Sequence, residues 1–80
     1  MDKETILKEL NEIFREVLKQ PVLLLETTMS ADDIDDWDSL TNMTIISEIE
    51  KRYGVHFKLR DIIRMKNIGD MIDTIITKAG

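Results

Sequence analysis

No cysteine occurs in these eighty residues, so neither a disulfide framework nor a thiolate metal site is available. That absence suits a reducing compartment. A single histidine, His56, leaves nucleophilic catalysis with one candidate base. No apolar run exceeds Val22-Leu23-Leu24-Leu25, far short of what a membrane span requires. The amino end, Met1-Asp2-Lys3-Glu4-Thr5, has no basic segment leading into an apolar one, so secretion is not expected and a cytoplasmic location is. Lysine and arginine are missing from Pro21 to Glu50, and the net charge of −5 argues against nucleic acid held through phosphate contacts. No internal repeat or low-complexity tract is present.

What the chain does have is 42% hydrophobic and 34% charged residues, the mixture of a globular domain. Residues 1–80 read as one small domain, near the lower size limit for a self-sufficient core and expected to be a monomer. Asp2 can cap a first helix whose stripe is Ile6, Leu7, Leu10, Ile13, Phe14, Val17 and Leu18, and Gln20-Pro21 stops it. A link of about eighteen residues follows, longer than the usual two to eight between helices. Val22, Leu23, Leu24, Leu25, Met29 and Ile34 are expected to pin it down as an ordered loop. A second helix runs from Ser39 to Tyr53 and ends at Gly54, with Leu40, Met43, Ile46, Ile49 and Tyr53 at helical spacing. Val55-His56-Phe57 reads as a short extended segment. Leu59 to Met65 has room for a brief third helix with Leu59, Ile62 and Ile63 facing inward. Asn67 caps the last helix, with Asp70 completing a partial capping box and Ile68, Met71, Ile72, Ile75 and Ile76 as its stripe. The fold class is therefore all-α, a small bundle of three main helices and one short helix with a long ordered loop after the first.

The most informative stretch is Asp32-Asp33-Ile34-Asp35-Asp36-Trp37-Asp38-Ser39-Leu40, where five carboxylates precede one serine at a helix start. Asp38 and Ser39 are both favourable N-cap types. The serine has no evident base of its own, because neighbouring carboxylates would repel a developing alkoxide and His56 lies beyond the far end of the same helix. An EF-hand reading from Asp33 fails as well: Asp38 stands where the loop needs glycine, and Thr44 stands where it needs the closing glutamate. No enzyme and no dedicated metal site is expected. The serine reads as a group acted upon by another protein.

Asp38-Ser39-Leu40, preceded by an acidic loop and followed by an amphipathic helix in a small acidic helical chain, resembles the acyl carrier protein family. The resemblance extends over essentially the whole chain, including the long first loop, the Tyr53-Gly54 helix end and the short third helix. It implies that a phosphopantetheinyl transferase moves 4′-phosphopantetheine from coenzyme A onto Ser39, with Asp38 and Leu40 completing the motif. The arm's thiol would then carry acyl groups as thioesters among acyl-loading and acyl-transfer or condensing enzymes. It also implies that Met43, Ile46, Ile49, Ile62 and Ile75 could line a space that shelters an acyl chain, although plain core packing accounts for such residues equally.

Departures from the family pattern lie on the second and third helices. Thr41, Asn42 and Thr44 occupy positions expected to be exposed, and Lys51, Arg52, Lys58, Arg60, Arg64 and Lys66 reverse the charge sign thereafter. Trp37 stands where a small residue is usual, with packing as its expected role. These features favour a specialised pathway, such as polyketide, lipid or surface-polymer assembly, over central fatty acid synthesis. An aminoacyl or peptidyl carrier, or a helical adaptor with no covalent arm, remains an alternative. The basic segment is either a solvated face or a surface that selects partners.

Overall fold

In a computed structural model describing residues 2–80, four helices surround one apolar core: α1 (Lys3–Leu18), α2 (Ser39–Tyr53), α3 (Leu59–Arg64) and α4 (Ile68–Ala79). No strand occurs among the described residues. The α1 stripe buries Ile6, Leu10, Ile13, Phe14 and Leu18, with Leu7 and Val17 packed at its margin. At its start Asp2 has the extended backbone of an N-cap, but its carboxylate accepts from the Thr5 hydroxyl rather than from a backbone N–H. The helix closes at Lys19, which adopts the left-handed conformation (φ 56°) and donates its N–H to the Arg15 carbonyl. Closure therefore comes just ahead of Gln20-Pro21.

α2 packs chiefly on α1, through Ile45, Ile46 and Ile49. The expected stripe from Leu40 does not hold, since Leu40 is 81% and Met43 58% exposed. Repeated steps of three residues fall short of a full turn by about 60° each, so the row Leu40, Met43, Ile46, Ile49 winds halfway round the helix. Leu40 ends up opposite Ile49. Gly54 closes α2 at φ 64°, a backbone conformation where an L side chain would be strained.

α3 buries no residue fully, and Leu59 (72%) and Ile63 (65%) face solvent rather than the interior. Only Ile62 and the following Met65 pack against the core. The helix is held from its ends instead. Phe57 before it is buried and donates its N–H to the Glu50 carboxylate at 2.8 Å. Asp61 accepts from the Lys58 N–H at 2.8 Å and from the Lys78 ammonium of α4 at 3.0 Å, and these contacts hold its carboxyl below the usual range. In α4, Asn67 accepts from the Asp70 N–H as expected, while Ile68, Met71, Ile72 and Ile75 fill the core.

Tyr53, on the last turn of α2, carries a buried hydroxyl with no hydrogen-bond partner among the described residues. Burial, reinforced by the negative charge of Glu9, pushes its pKa from the ordinary 10 to about 12. Between pH 10 and 12 the unfolded chain releases a proton that the folded chain keeps, so stability falls as pH rises through that window. Tyr53→Phe removes the unpaired hydroxyl, and its stability at pH 7 should match or exceed the wild type by about 0–1 kcal/mol. Chemical unfolding followed from pH 8 to 12 should show the alkaline slope reduced in the variant.

Candidate functional site

The site is built from the loop of residues 19–38 and the first turn of α2. Three loop side chains, Leu25, Ile34 and Trp37, are buried, and Leu23 and Met29 pack partly against the core. Val22 (90%) and Leu24 (66%) are exposed, so they do not pin the loop as expected. Polar contacts from every neighbouring element take their place. Arg15 donates its Nε–H to the Leu23 carbonyl at 2.6 Å, and the buried Asn11 accepts the Leu25 N–H at 2.7 Å. Gln20 donates to the Asp35 carbonyl at 2.7 Å.

At the other side, the free N–H groups of the first turn of α4 close onto the loop. Ile68 donates to the Met29 carbonyl at 2.9 Å and Gly69 to the Thr27 carbonyl at 2.8 Å. A Cβ on Gly69 would lie 3.2 Å from that Thr27 oxygen, so the absence of a side chain allows this approach.

Trp37 completes the attachment. Its ring meets Phe14 of α1 edge-to-face, with centroids 4.9 Å apart and planes at 80°. Its indole N–H donates to the Asn42 side-chain oxygen at 2.9 Å. Packing was the role expected for Trp37, and the structure adds this bond to α2. Asp36, immediately before it, turns the chain through a left-handed conformation (φ 65°), and its carbonyl accepts the Thr41 hydroxyl at 2.7 Å. Thr41 and Asn42 are therefore half-buried and engaged, not free surface positions, whereas Thr44 is exposed.

Next in the chain, Asp38 is the N-cap of α2. Its carboxylate accepts the Leu40 N–H at 2.9 Å and the Thr41 N–H at 3.0 Å, while the Thr41 hydroxyl accepts the Asp38 N–H at 2.9 Å. The Thr41 backbone bond is the largest cause holding the Asp38 carboxyl below its ordinary range. Ser39 is the first helical residue rather than the cap. It is exposed, and its hydroxyl makes no hydrogen bond to any described residue. A side chain in that state is free to be modified without disturbing the helix start. Leu40 stands exposed beside it.

A groove of about 190 Å³ opens next to Ser39, with Trp37 and Asn42 on one side and Met65 and Lys66 on the other. Ile46, Ile49 and Ile75 are not at this groove; they are packed core positions, while Met43 points to solvent. Ile62, the remaining residue suggested for a shelter, is half-buried against the core, so plain core packing accounts for all of them but Met43. His56 lies beyond the far end of α2, a helix of roughly 22 Å, and sits exposed beside Glu50. The loop carboxylates diverge: Asp33 accepts the Ser30 N–H at 2.9 Å, and among the described residues no three His, Asp or Glu side chains converge on a possible metal position. The features that sequence reasoning missed are Asn11, Arg15, Thr41, Asn42 and Gly69. Asn11 alone carried a signal, a carboxamide set in an apolar stripe.

Comparison with known proteins agrees with this geometry. The phosphopantetheine attachment site family matches residues 8–75. An acyl carrier protein of Acidothermus cellulolyticus is 32% identical over 75 residues, spanning 94% of this chain and 89% of that protein. The solution structure of a holo acyl carrier protein from Geobacter metallireducens superposes with a TM-score of 0.84 at 39% identity, covering 90% of this chain and 83% of that one.

The cap makes a separable prediction. Asp38→Ala should lower the melting temperature at pH 7 by roughly 4–8 °C, whereas Asp38→Asn, itself a good cap, should lose much less. Because the folded carboxyl titrates below its ordinary value, the ionised cap's contribution is full above that ordinary value and is lost as pH falls from it through the lowered one. Thermal melts from pH 7 to 2 should show a smaller acid-side loss in the Asn variant.

Proposed function

Because the chain belongs to the acyl carrier protein family, whose prosthetic group is phosphopantetheine, we propose that Ser39 is its attachment residue and that residues 1–80 act as one carrier domain. The observation that carries the assignment is the Ser39 hydroxyl, exposed and unbonded at the first position of a firmly capped helix. The protein is a carrier and not an enzyme. When bound, the prosthetic group supplies a thiol on which acyl groups travel as thioesters. The chain's own residues hold that attachment point in place. Asp38 and Thr41 fix the first turn, Trp37 and Asn42 fix the loop against it, and Leu40 and Met43 leave an apolar surface beside it for enzymes that visit. A transferase must supply the base, since no candidate base other than carboxylates adjoins Ser39.

For the pathway, we favour acyl transfer in a specialised assembly line over central fatty acid synthesis. Of the basic residues that set this chain apart, Arg52 is internal in purpose: its guanidinium lies 3.2 Å from Glu12 and 3.6 Å from Glu9, joining α2 to α1. Lys51 lies 3.9 Å from Glu48. Arg60 and Arg64 of α3 are exposed and form no ion pair with any described residue, so a partner-selecting charge belongs there. Such a surface suits partner enzymes with acidic docking residues. These bases also weigh against the adaptor alternative less than Ser39 does, because an adaptor would need no free hydroxyl at that turn.

Incubation with coenzyme A, magnesium and a broad-specificity phosphopantetheinyl transferase should add one phosphopantetheine mass to the wild type and none to Ser39→Ala. Modification of the alanine variant would sink the assignment. Reversing Arg60 and Arg64 to Glu should slow transfer with cognate partners by roughly ten-fold, because each exposed charge pair contributes about 0–1 kcal/mol. Loading by the transferase should change little. Equal transfer by wild type and variant would make α3 a solvated face and remove the support for a specialised pathway.

A further inference from the structure

The groove beside Ser39 joins groups that the helix packing does not require. Lys66, in the link between α3 and α4, is exposed, and its ammonium forms no ion pair with any described residue, although Asp35, Asp36 and Asp38 stand nearby in the chain before Ser39. Asn42 gives its side-chain oxygen to the Trp37 indole, which leaves its two amide hydrogens unbonded to any described residue. Met65 and the edge of Trp37 supply apolar surface in the same groove. A free cation, a free amide donor and an apolar wall therefore stand together, with Ser39 on the rim and Asp38, engaged as the cap of α2, as the one carboxylate at the groove.

Phosphopantetheine has that order of chemistry from its attachment point outward: an anionic phosphodiester, then a gem-dimethyl group, then amides. Resting on the assignment of Ser39, we propose that the arm's proximal part lies in this groove, with its phosphodiester paired to Lys66. Asn42 donates to an amide carbonyl of the arm, and the gem-dimethyl group covers Trp37 and Met65. A phosphodiester set among carboxylates is repelled by them, and Lys66 is the cation at the groove that offsets the repulsion. The arm in its resting state is accordingly directed across the α3–α4 link rather than outward into solvent.

The chain has one tryptophan, and Met65 is remote in sequence from Ser39, so both report on the groove. Wild type, Lys66→Glu and Lys66→Arg should first be converted to the modified form and verified by intact mass. The Met65 methyl and Trp37 indole resonances should then be compared before and after modification. The expected result is a clear shift of both resonances in wild type, at least halved in Lys66→Glu and retained in Lys66→Arg. If mass confirms modification but Met65 does not move, or moves equally in Lys66→Glu, the arm does not rest in the groove and the present inference falls while the Ser39 assignment stands. If wild type gains no mass, the Ser39 assignment falls, and the inference with it.

Discussion

The edge-to-face contact of Trp37 with Phe14 is the interaction on which the serine's position depends. Twenty residues separate α1 from α2, and ordering a backbone costs roughly 1–2 kcal/mol per residue. Only Leu25, Ile34 and Trp37 of that segment are buried, so its order rests on a few well-separated anchors. Trp37 is the last of them before the helix, and its indole bond to Asn42 ties the loop's end to α2 at the point where Ser39 begins. Without that tie α2 would still pack on α1 through Ile45, Ile46 and Ile49, but the loop's end would be held to its first turn only by the Thr41 bond to the Asp36 carbonyl.

This arrangement separates two demands that compete at one residue. A serine proposed as an attachment point must be fixed in space, and its hydroxyl must be free. Cap residues fix helix starts by spending their side chains on backbone N–H groups. Here Asp38 does so, and Thr41 returns the bond, leaving Ser39 at the next position with nothing to hold. A serine at the cap itself would have its oxygen engaged. The one-residue offset between cap and serine is thus what makes a rigid element present a reactive group.

Helix existence, order and ends were legible in the sequence because they rest on local chemistry: the stripe of α1, Gly54 after α2, Asn67 before α4. The serine was legible for the same reason, since acidic loop, cap and apolar follower are adjacent in the chain. Facing was less so. The i, i+3 row from Leu40 looks like one stripe, yet it winds around α2: Ile46 and Ile49 are buried as expected, Leu40 and Met43 are not, and Ile45 is singled out only by the packing on α1. Leu59 and Ile63 were misjudged because six residues of helix give too short a record to reveal which side is covered. The polar ties of the loop were invisible, since Arg15 to Leu23, Asn11 to Leu25 and Gly69 to Thr27 join residues to backbone atoms, and any residue supplies a carbonyl.

The charge pattern shows how a segregation read from sequence divides once partners are known. Lys51 to Lys66 is basic with Asp61 as the exception, and it reads as one surface. Its members do different things. Arg52 joins two helices by way of Glu9 and Glu12, and Asp61, the exception, is the residue that fastens α3 to α4 through Lys78. The cations of this segment left without an ion-pair partner among the described residues are Lys58, Arg60 and Arg64 at and along α3, and Lys66 at the groove beside Ser39. Exposed pairs contribute little to stability, so a free cation costs the fold almost nothing and is available for a charge the protein does not itself contain. In a carrier, two such charges are at hand, the phosphodiester of the arm and the acidic surface of an enzyme that receives it. The sequence places one free cation by the serine and three at and along the neighbouring helix, a distribution that suits those two proposed encounters.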